Sequence, residues 1–456
     1  MPILSFGQTE SENSKKIAAE FEMYYNSGEY QKLFELFSPE MKNALPLDQT
    51  TAFSSNLKTQ AGKITGRTFT KNEGGYALYK TSFEKAVLGL YISIDNKAMI
   101  NGLFVKPFIE DTETNTVNGL QDYPAEIAEM IYSKSKDFPA NTQLSIAIIK
   151  EGKTNYYGVI NENGTLKSIE NQNKVFEIGS ITKVFTSTVL ASLVNDKKIK
   201  LTDPINTFYP FSFKDEVNIT FESLANHTSG LPRLPENLDL SNMANPYKSY
   251  NDKLLNEYLK NVLKPNKQPL EAYEYSNLGA GLLGHTLGLS QKKSFQELLK
   301  IHVFDKYKLS NSYLSSQGLD TELVKGLDTN GEIVSNWDFD VLFGAGGILS
   351  TTEDLAKFVG AHFKTKNKDL ALTRKETFNI NENMQIALGW HLLKSGSGQD
   401  LVWHNGGTGG YSSSLAMDVN NKTAVIILSN VSAFNPRMGH IDELCFKLME
   451  QVNVED

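Results

Sequence analysis

The sequence reads FEIGSITK at residues 176–183 and continues as VFTSTVLASLV at residues 184–194, eleven residues without a charge. A helix that is apolar on every side is buried on every side. The stretch therefore predicts a buried helix whose first turn carries Ser180 and Lys183. Residues three apart on a helix share one face, so these two side chains are expected to be neighbours.

The pair of Ser180 and Lys183 predicts a nucleophile and its base. A hydroxyl is a poor nucleophile until a base takes its proton. A lysine that is kept away from water has a lowered pKa and can be neutral, which lets it act as that base. The helix N-terminus also favours developing negative charge. Ser-x-x-Lys alone is a weak signal, because it occurs four more times in ordinary polar surroundings, at Ser55/Lys58, Ser82/Lys85, Ser133/Lys136 and Ser290/Lys293.

A second candidate element is Tyr275-Ser276-Asn277, just before the glycine-rich segment at 278–284. A phenol and a carboxamide two residues apart can face one cleft from a loop. Tyr275 could relay protons as phenol or phenolate, and Asn277 could hold a substrate carbonyl and orient a lysine. The alternative interpretation is a helix N-cap formed by Ser276 or Asn277, with Tyr275 packed beside it.

The third element is His404-Asn405-Gly406-Gly407, at the end of a predicted strand. Glycines allow a substrate backbone to approach a strand edge closely. A backbone N–H in this segment could join that of Ser180 in an oxyanion hole, and His404 could bind a carboxylate or shuttle a proton. The alternative is a glycine-rich turn with a structural histidine.

Together and in this order, the three elements resemble the active-site set of serine β-lactamases and penicillin-binding proteins, whose class A form is S-x-x-K, S-D-N and K-T-G. The version here is similar to the branch that holds class C β-lactamases, D-Ala-D-Ala carboxypeptidases, D-aminopeptidases and β-lactamase-fold esterases. The resemblance covers about Pro124 to Val452. Further matching stretches are LTDPI at 201–205, NHTSGLP at 226–232, GGILSTTEDL at 346–355 and GW at 389–390.

The resemblance implies a serine hydrolase that works through an acyl-enzyme and needs no metal or other cofactor. It implies catalytic roles for Ser180, Lys183 and Tyr275. Substrate binding is implied for the carboxamide and the third element, that is, for Asn277, His404, Asn405, Gly406 and Gly407. The expected partner is a small-molecule, peptide or ester substrate.

Two departures from the family pattern bear on the substrate. His404 stands where classical β-lactamases carry lysine, and a histidine is roughly half neutral or more at pH 7. Asn405 replaces a small hydroxyl residue. These changes favour a D-amino-acid peptidase, carboxypeptidase or esterase, with weak β-lactamase activity at most. The alternative function is a non-catalytic or slow-turnover penicillin-binding or sensor protein on the same fold.

The sequence lacks the motifs that are typical of two other classes of hydrolase. A Ser-His-Asp hydrolase of the α/β-hydrolase type has the motif Gly-x-Ser-x-Gly around its nucleophile. Here Ile181 and Thr182 follow Ser180, so the second glycine of that motif is absent. A metallohydrolase usually binds its metal through clustered histidines. The seven histidines of this sequence form no His-x-His or His-Glu-x-x-His motif.

The hydrophobic pattern predicts an α+β protein of two domains. Residues 10–109 predict a small domain in which helices back an antiparallel sheet, weakly similar to the cone-shaped domains of the nuclear transport factor 2 type. Residues 110–122 are polar and aperiodic, which indicates a linker. Residues 123–456 predict a β-lactamase-like domain whose sheet is built from both ends of the chain around a helical middle.

The composition excludes some partners. The net charge is −8, which argues against nucleic acid or an anionic membrane surface as the main partner. No run approaches the roughly 18 apolar residues of a membrane span. The first eight residues, MPILSFGQ, look like the end of an export signal, so we expect a periplasmic or secreted protein. The lone Cys445 is expected to be buried.

Overall fold

The computed structural model describes residues 9–73, 75–108, 115–395 and 398–454. The chain divides into two compact units between Glu113 and Thr114. The predicted α+β class is confirmed for the described chain. Within these residues no helix is long and apolar enough to cross a membrane. The segment that resembles an export signal lies outside the described residues.

The first unit contains helices followed by an antiparallel meander of four strands, paired in chain order. Ser11 caps the first helix and Gly28 ends it in the left-handed conformation, which glycine adopts readily. The helices bury Phe21 and Tyr25 against one face of the sheet. The similarity to nuclear transport factor 2 stays a prediction. The elements are α1 (Glu12–Ser27), α2 (Tyr30–Glu35), α3 (Pro39–Ala44), α4 (Leu47–Ala61), β1 (Ile64–Glu73), β2 (Tyr76–Phe83), β3 (Val87–Ile94) and β4 (Ile100–Pro107).

The second unit is organised on a large sheet to which both ends of this unit contribute. The strands of the unit are β5 (Val117–Gly119), β6 (Gln143–Lys150), β7 (Lys153–Glu162), β8 (Thr165–Ile169), β9 (Phe176–Glu177), β10 (Leu349–Ser350), β11 (Phe378–Asn381), β12 (Met384–Ile386), β13 (His391–Lys394), β14 (Asp400–Gly407), β15 (Ser412–Asp418) and β16 (Thr423–Ser429). The large sheet has the order β11-β12-β13-β14-β15-β16-β6-β7-β8-β5, while β9 and β10 pair separately. The antiparallel pairing of β16 with β6 joins the two ends, as predicted.

The helices of the second unit lie between its early and late strands, except for one at each end. They are α5 (Ala125–Ser135), α6 (Thr182–Asn195), α7 (Phe221–Ala225), α8 (Asp252–Glu257), α9 (Asn277–Gln291), α10 (Phe295–Leu299), α11 (Asp305–Tyr307), α12 (Thr352–His362), α13 (Lys368–Thr373) and α14 (Gly439–Val454). Helix α6 is buried on all sides, because its apolar residues pack within the main core. Helices α5 and α14 pack in a second core that includes the buried Cys445.

The predicted linker at 110–122 is too long. Val117–Gly119 form strand β5, which pairs in parallel with β8, and Leu120 is fully buried in the second core. Residues 117–120 therefore belong to the second unit. A three-residue edge strand shows no alternation, so its sequence pattern could not be told from that of a linker.

Candidate active site

Ser180 lies in the tight turn between β9 and α6. The turn is a single 3-10 turn over Gly179–Ile181, and α6 begins directly after it. Gly179 has a φ of +50°, and a Cβ there would lie 2.4 Å from the backbone nitrogen of Gly407. Both facts require glycine at this position. The turn thus holds Ser180 against the end of β14.

Lys183 is 2% exposed, and its side-chain nitrogen has three oxygen neighbours. Nζ lies 2.9 Å from Ser180 Oγ, 2.9 Å from Asn277 Oδ1 and 2.7 Å from the carbonyl oxygen of Ala345. Burial holds the pKa of Lys183 well below its usual value, and the nearby charge of Arg233 lowers it further. The predicted closeness of Ser180 and Lys183 is thus present, and Asn277 joins them.

Tyr275 and Asn277 flank the start of helix α9. Ser276 is the N-cap, because its Oγ accepts a hydrogen bond from the backbone N–H of Gly279 at 2.8 Å. The cap interpretation of this segment is therefore right, and it does not compete with the functional one. The cap fixes the backbone, while Tyr275 and Asn277 line the same cleft as Ser180. Asn277 Nδ2 donates to Tyr247 Oη at 3.2 Å.

Tyr275 is a neutral phenol at pH 7. Burial raises its pKa to about 12, although the Ser180 side chain and the charge of Arg233 act in the opposite direction. Lys183 Nζ lies 4.9 Å from the centroid of the Tyr275 ring. The phenol is thus placed beside both the hydroxyl and the amine.

His404 is fully buried beneath the cleft and is not among the residues that line it. Its Nδ1 lies 2.5 Å from the carbonyl oxygen of Asn405, and its Nε2 has no partner among the described residues. Burial lowers its pKa well below 6.5, and His391 and Lys183 lower it further. His404 is therefore neutral at pH 7. Its position does not fit the expected direct contact with a substrate carboxylate.

Asn405, Gly406 and Gly407 form the open edge of β14. Strand β13 pairs with β14 only as far as Trp403, so no strand of the described chain covers this edge on the cleft side. The Asn405 side chain turns away and donates to Asp442 Oδ2 at 2.8 Å. Only the backbone of residues 405–407 is therefore available to a substrate.

Gly406 packs directly against the serine turn. A Cβ on Gly406 would lie 2.1 Å from the carbonyl oxygen of Ile178 and 2.8 Å from the backbone nitrogen of Ser180. We expect Gly406→Ala to destabilise the protein by about 1–3 kcal/mol, because backbone atoms must move to admit the methyl group. Differential scanning calorimetry would measure the lower melting temperature expected of Gly406→Ala.

The control for Gly406→Ala is Gly360→Ala. Gly360 lies inside helix α12, and apart from its chain neighbours and its own helix backbone no described atom lies within 4 Å of its Cβ position. Alanine there is expected to stabilise the protein by up to about 1 kcal/mol. Equal melting temperatures for Gly406→Ala and the unmodified protein would contradict the packing described above.

The cleft above Ser180 encloses about 590 Å³. Its outer wall is apolar and includes Leu240, Met243 and Phe434, which are 46%, 52% and 54% exposed. Arg233 is the one formally charged side chain among the described residues that line the cleft. The cleft therefore suits a substrate with an apolar part and no positive charge.

Several cleft residues could not be assigned from the sequence. Arg233 follows the matched stretch at 226–232 directly, which is the one signal that pointed to it. The loop from Arg233 to Tyr250, whose sequence carries no recognisable motif, lines the cleft. The described residues that line the cleft also include Trp337, but none from Ser310 to Ser335.

Glu177 fixes the Trp337 segment from beneath the cleft. Its Oε1 accepts hydrogen bonds from Asn336 Nδ2 at 2.7 Å and from the backbone N–H of Trp337 at 2.9 Å. Burial raises the pKa of Glu177 to about 7.

In the part of the chain that the structure describes, no three His, Cys, Asp or Glu side chains could together hold a metal ion.

Residues 137–444 match the protein family described as Beta-lactamase. The chain belongs to the beta-lactamase family. The family match contains Ser180, Lys183, Tyr275, Asn277 and the whole 404–407 segment. Residues 18–103, in the first unit, match a separate family described as a protein of unknown function, DUF3887.

Relatives and solved structures agree with the beta-lactamase family. A protein of Pseudomonas fluorescens named Beta-lactamase is 29% identical over 261 residues, which are 55% of this chain and 69% of the relative. Penicillin-binding protein 4* of Bacillus subtilis (strain 168) is 26% identical over 302 residues, 60% of this chain and 64% of the relative. The second of these relatives is thus matched over less than two thirds of its length.

Two solved structures share the fold. One is a beta-lactamase/D-alanine carboxypeptidase from Pseudomonas syringae, with a TM-score of 0.59 and 22% identity, covering 72% of this chain and 99% of that chain. The other is a class C beta-lactamase, with a TM-score of 0.60 and 19% identity, covering 73% of this chain and 97% of that chain. The predicted resemblance to this branch is confirmed as a likeness of fold.

Proposed function

We propose that the chain is a serine hydrolase that cleaves peptide, amide or ester bonds through an acyl-enzyme on Ser180. The observation that carries this proposal is the buried Lys183, whose Nζ lies 2.9 Å from the Ser180 hydroxyl and whose pKa is held well below its usual value by burial. The names of its relatives, beta-lactamase and penicillin-binding protein, support the same chemistry.

The neighbours of Lys183 leave its lone pair free to act as a base toward Ser180 once the amine is neutral. A neutral amine has two N–H donors and one lone pair. Asn277 Oδ1 and the Ala345 carbonyl oxygen can only accept hydrogen bonds, so they take the two N–H groups. The lone pair then faces the third neighbour, Ser180, and can accept its proton.

Acylation follows from this geometry. Lys183 takes the Ser180 proton while Oγ attacks the substrate carbonyl carbon, and the carbonyl π electrons move to its oxygen. The backbone N–H groups of Ser180 and Gly407 bind that oxyanion, and Asn277 binds the acyl side of the substrate. Tyr275 then passes the proton from Lys183 to the leaving group, the bond to the leaving group breaks, and acyl-Ser180 remains.

Deacylation uses the same groups with water in place of the leaving group. Water gives its proton to the relay of Lys183 and Tyr275 and attacks the ester carbon. The Ser180 oxygen then leaves and takes a proton back, which frees the acid. The raised pKa of Tyr275 supports a phenol as the relay rather than a phenolate base.

The cleft supports peptidase or esterase activity over dedicated β-lactamase activity. His404, which replaces the lysine of classical β-lactamases, is buried and neutral. The exposed apolar wall of Leu240, Met243 and Phe434 favours substrates with an apolar acyl group. Burying each further methylene of such a group contributes about 0.8 kcal/mol.

Nitrophenyl esters of increasing acyl length test the proposal. We expect steady turnover well beyond one equivalent, with kcat/KM rising from acetate toward hexanoate by up to about fourfold per methylene, because the wall buries the chain. Stopped-flow absorbance would measure turnover, and mass spectrometry of the quenched protein would locate the acyl group on Ser180.

The alternative function gives a different result in that experiment. A slow-turnover binding or sensor protein on the same fold would release one equivalent of nitrophenol and then stop. Acylation at a residue other than Ser180 would contradict both functions.

A further inference from the structure

Arg233 is a fixed, exposed cation at the cleft. Its backbone carbonyl oxygen accepts hydrogen bonds from the N–H groups of Asn277 at 2.9 Å and Leu278 at 3.2 Å. Its backbone is thus tied to the start of α9, the segment that also presents Tyr275. The side chain is exposed and lines the cleft.

The guanidinium group of Arg233 lies over the face of Tyr275, with Cζ at 5.3 Å from the ring centroid. Among the described residues, no carboxylate forms an ion pair with Arg233, and the described residues that line the cleft include no acid. Its charge is therefore not neutralised locally, and it acts on the pKa of both Lys183 and Tyr275.

The other basic groups of the site cannot supply a positive charge to a substrate. Lys183 is buried and bound to three oxygen atoms. His404 is fully buried, and His391 has its pKa lowered to about 4 by burial. An anionic group that enters the cleft therefore meets one cationic partner, Arg233.

We propose that Arg233 forms an anion subsite that binds a carboxylate on the leaving group of the substrate. The proposal rests on the function proposed above. A guanidinium group is charged at all relevant pH values and binds a carboxylate through two parallel hydrogen bonds. Because Arg233 lies beside Tyr275, which passes a proton to the leaving group, the bound carboxylate belongs to the leaving group rather than to the acyl group.

Two matched esters test the subsite. They carry the same acyl group, but one releases 3-hydroxybenzoate and the other releases 3-hydroxybenzamide. We expect the unmodified protein to prefer the benzoate ester by about 10- to 100-fold in kcat/KM, after correction for the rates of alkaline hydrolysis. Arg233→Gln should bring that ratio close to one, and Arg233→Lys should give an intermediate ratio, because lysine keeps the charge but loses the planar pair of donors.

The control is Lys264→Gln, which removes one positive charge from an exposed residue outside the cleft. It should leave the ratio unchanged. If Arg233→Gln lowers kcat/KM for both esters by the same factor, Arg233 acts through the pKa of Lys183 or Tyr275 and the subsite is wrong. An unchanged ratio in Arg233→Gln would place the carboxylate elsewhere and also overturn the proposal.

A binding measurement separates the subsite from the proposed hydrolysis. Turnover of the benzamide ester reports the hydrolysis alone. If neither ester is hydrolysed, the proposed function fails, and titration calorimetry with the free 3-hydroxybenzoate and 3-hydroxybenzamide still tests Arg233. Tighter binding of the benzoate that is lost in Arg233→Gln would support the subsite, and equal binding of the two compounds would overturn it.

Discussion

Ser180→Ala is expected to lower kcat/KM for ester hydrolysis by about 10⁴-fold or more, because the attacking oxygen is removed. Lys183, Asn277 and the serine turn would remain in place, so the variant should still fold and bind ligands. A fluorescent phosphonate that reacts with activated serines should label the unmodified protein and leave Ser180→Ala unlabelled. Steady-state hydrolysis and gel fluorescence measure the two effects.

Ser290→Ala is a matched control for that experiment. Ser290 also precedes a lysine by three residues, but its hydroxyl donates to the carbonyl oxygen of Leu287 within helix α9, outside the cleft. It should keep both labelling and turnover. Full hydrolysis by Ser180→Ala would remove the basis of the acyl-enzyme proposal.

Lys183→Met should lower kcat/KM by about 10²- to 10⁴-fold, the usual contribution of a positioned general base. Methionine fills a similar volume but cannot accept the Ser180 proton. The effect should depend on pH in a definite direction. Burial lowers the pKa of Lys183, so the active neutral amine forms as pH rises, and activity should climb to that lowered pKa and then level off.

The rising limb of this pH profile is the decisive readout for Lys183. In Lys183→Met the limb should vanish, while Lys293→Met, on the surface of the second unit, should leave it intact. If the activity of Lys183→Met still rises with pH, the titrating group is not Lys183. That result would contradict the proposal that Lys183 is the general base.

The sequence predicts those parts of the site that are set by local chain geometry. Ser180 and Lys183 are one helical turn apart, so an apolar run behind them was enough to predict their contact. Ser276 caps α9 because serine accepts N–H bonds at a helix start, and this too is local. The shared sheet could be predicted because its central strands, such as Thr423–Ser429, are short apolar runs that follow turn residues such as Asn420 and Asn421.

Features that depend on tertiary packing could not be predicted. The range of helix α4 does not follow from the sequence, because its buried positions are Thr50, Ser54 and Ala61, which give no apolar stripe. The side chain of Asn405 turns to Asp442, and His404 is buried beneath the cleft; neither orientation follows from the motif. Both orientations depend on contacts with residues distant in the chain.

The pairing of β16 with β6 has a consequence for biosynthesis. A ribosome that adds about 5–20 residues per second exposes Ser180 well before it makes Gly407. Helix α6 can form early, but strand β14, which completes the proposed oxyanion site, is made only about two hundred residues later. The nascent chain therefore carries the proposed nucleophile before the cleft is complete, and we expect hydrolysis to begin only after β14 has been made and paired.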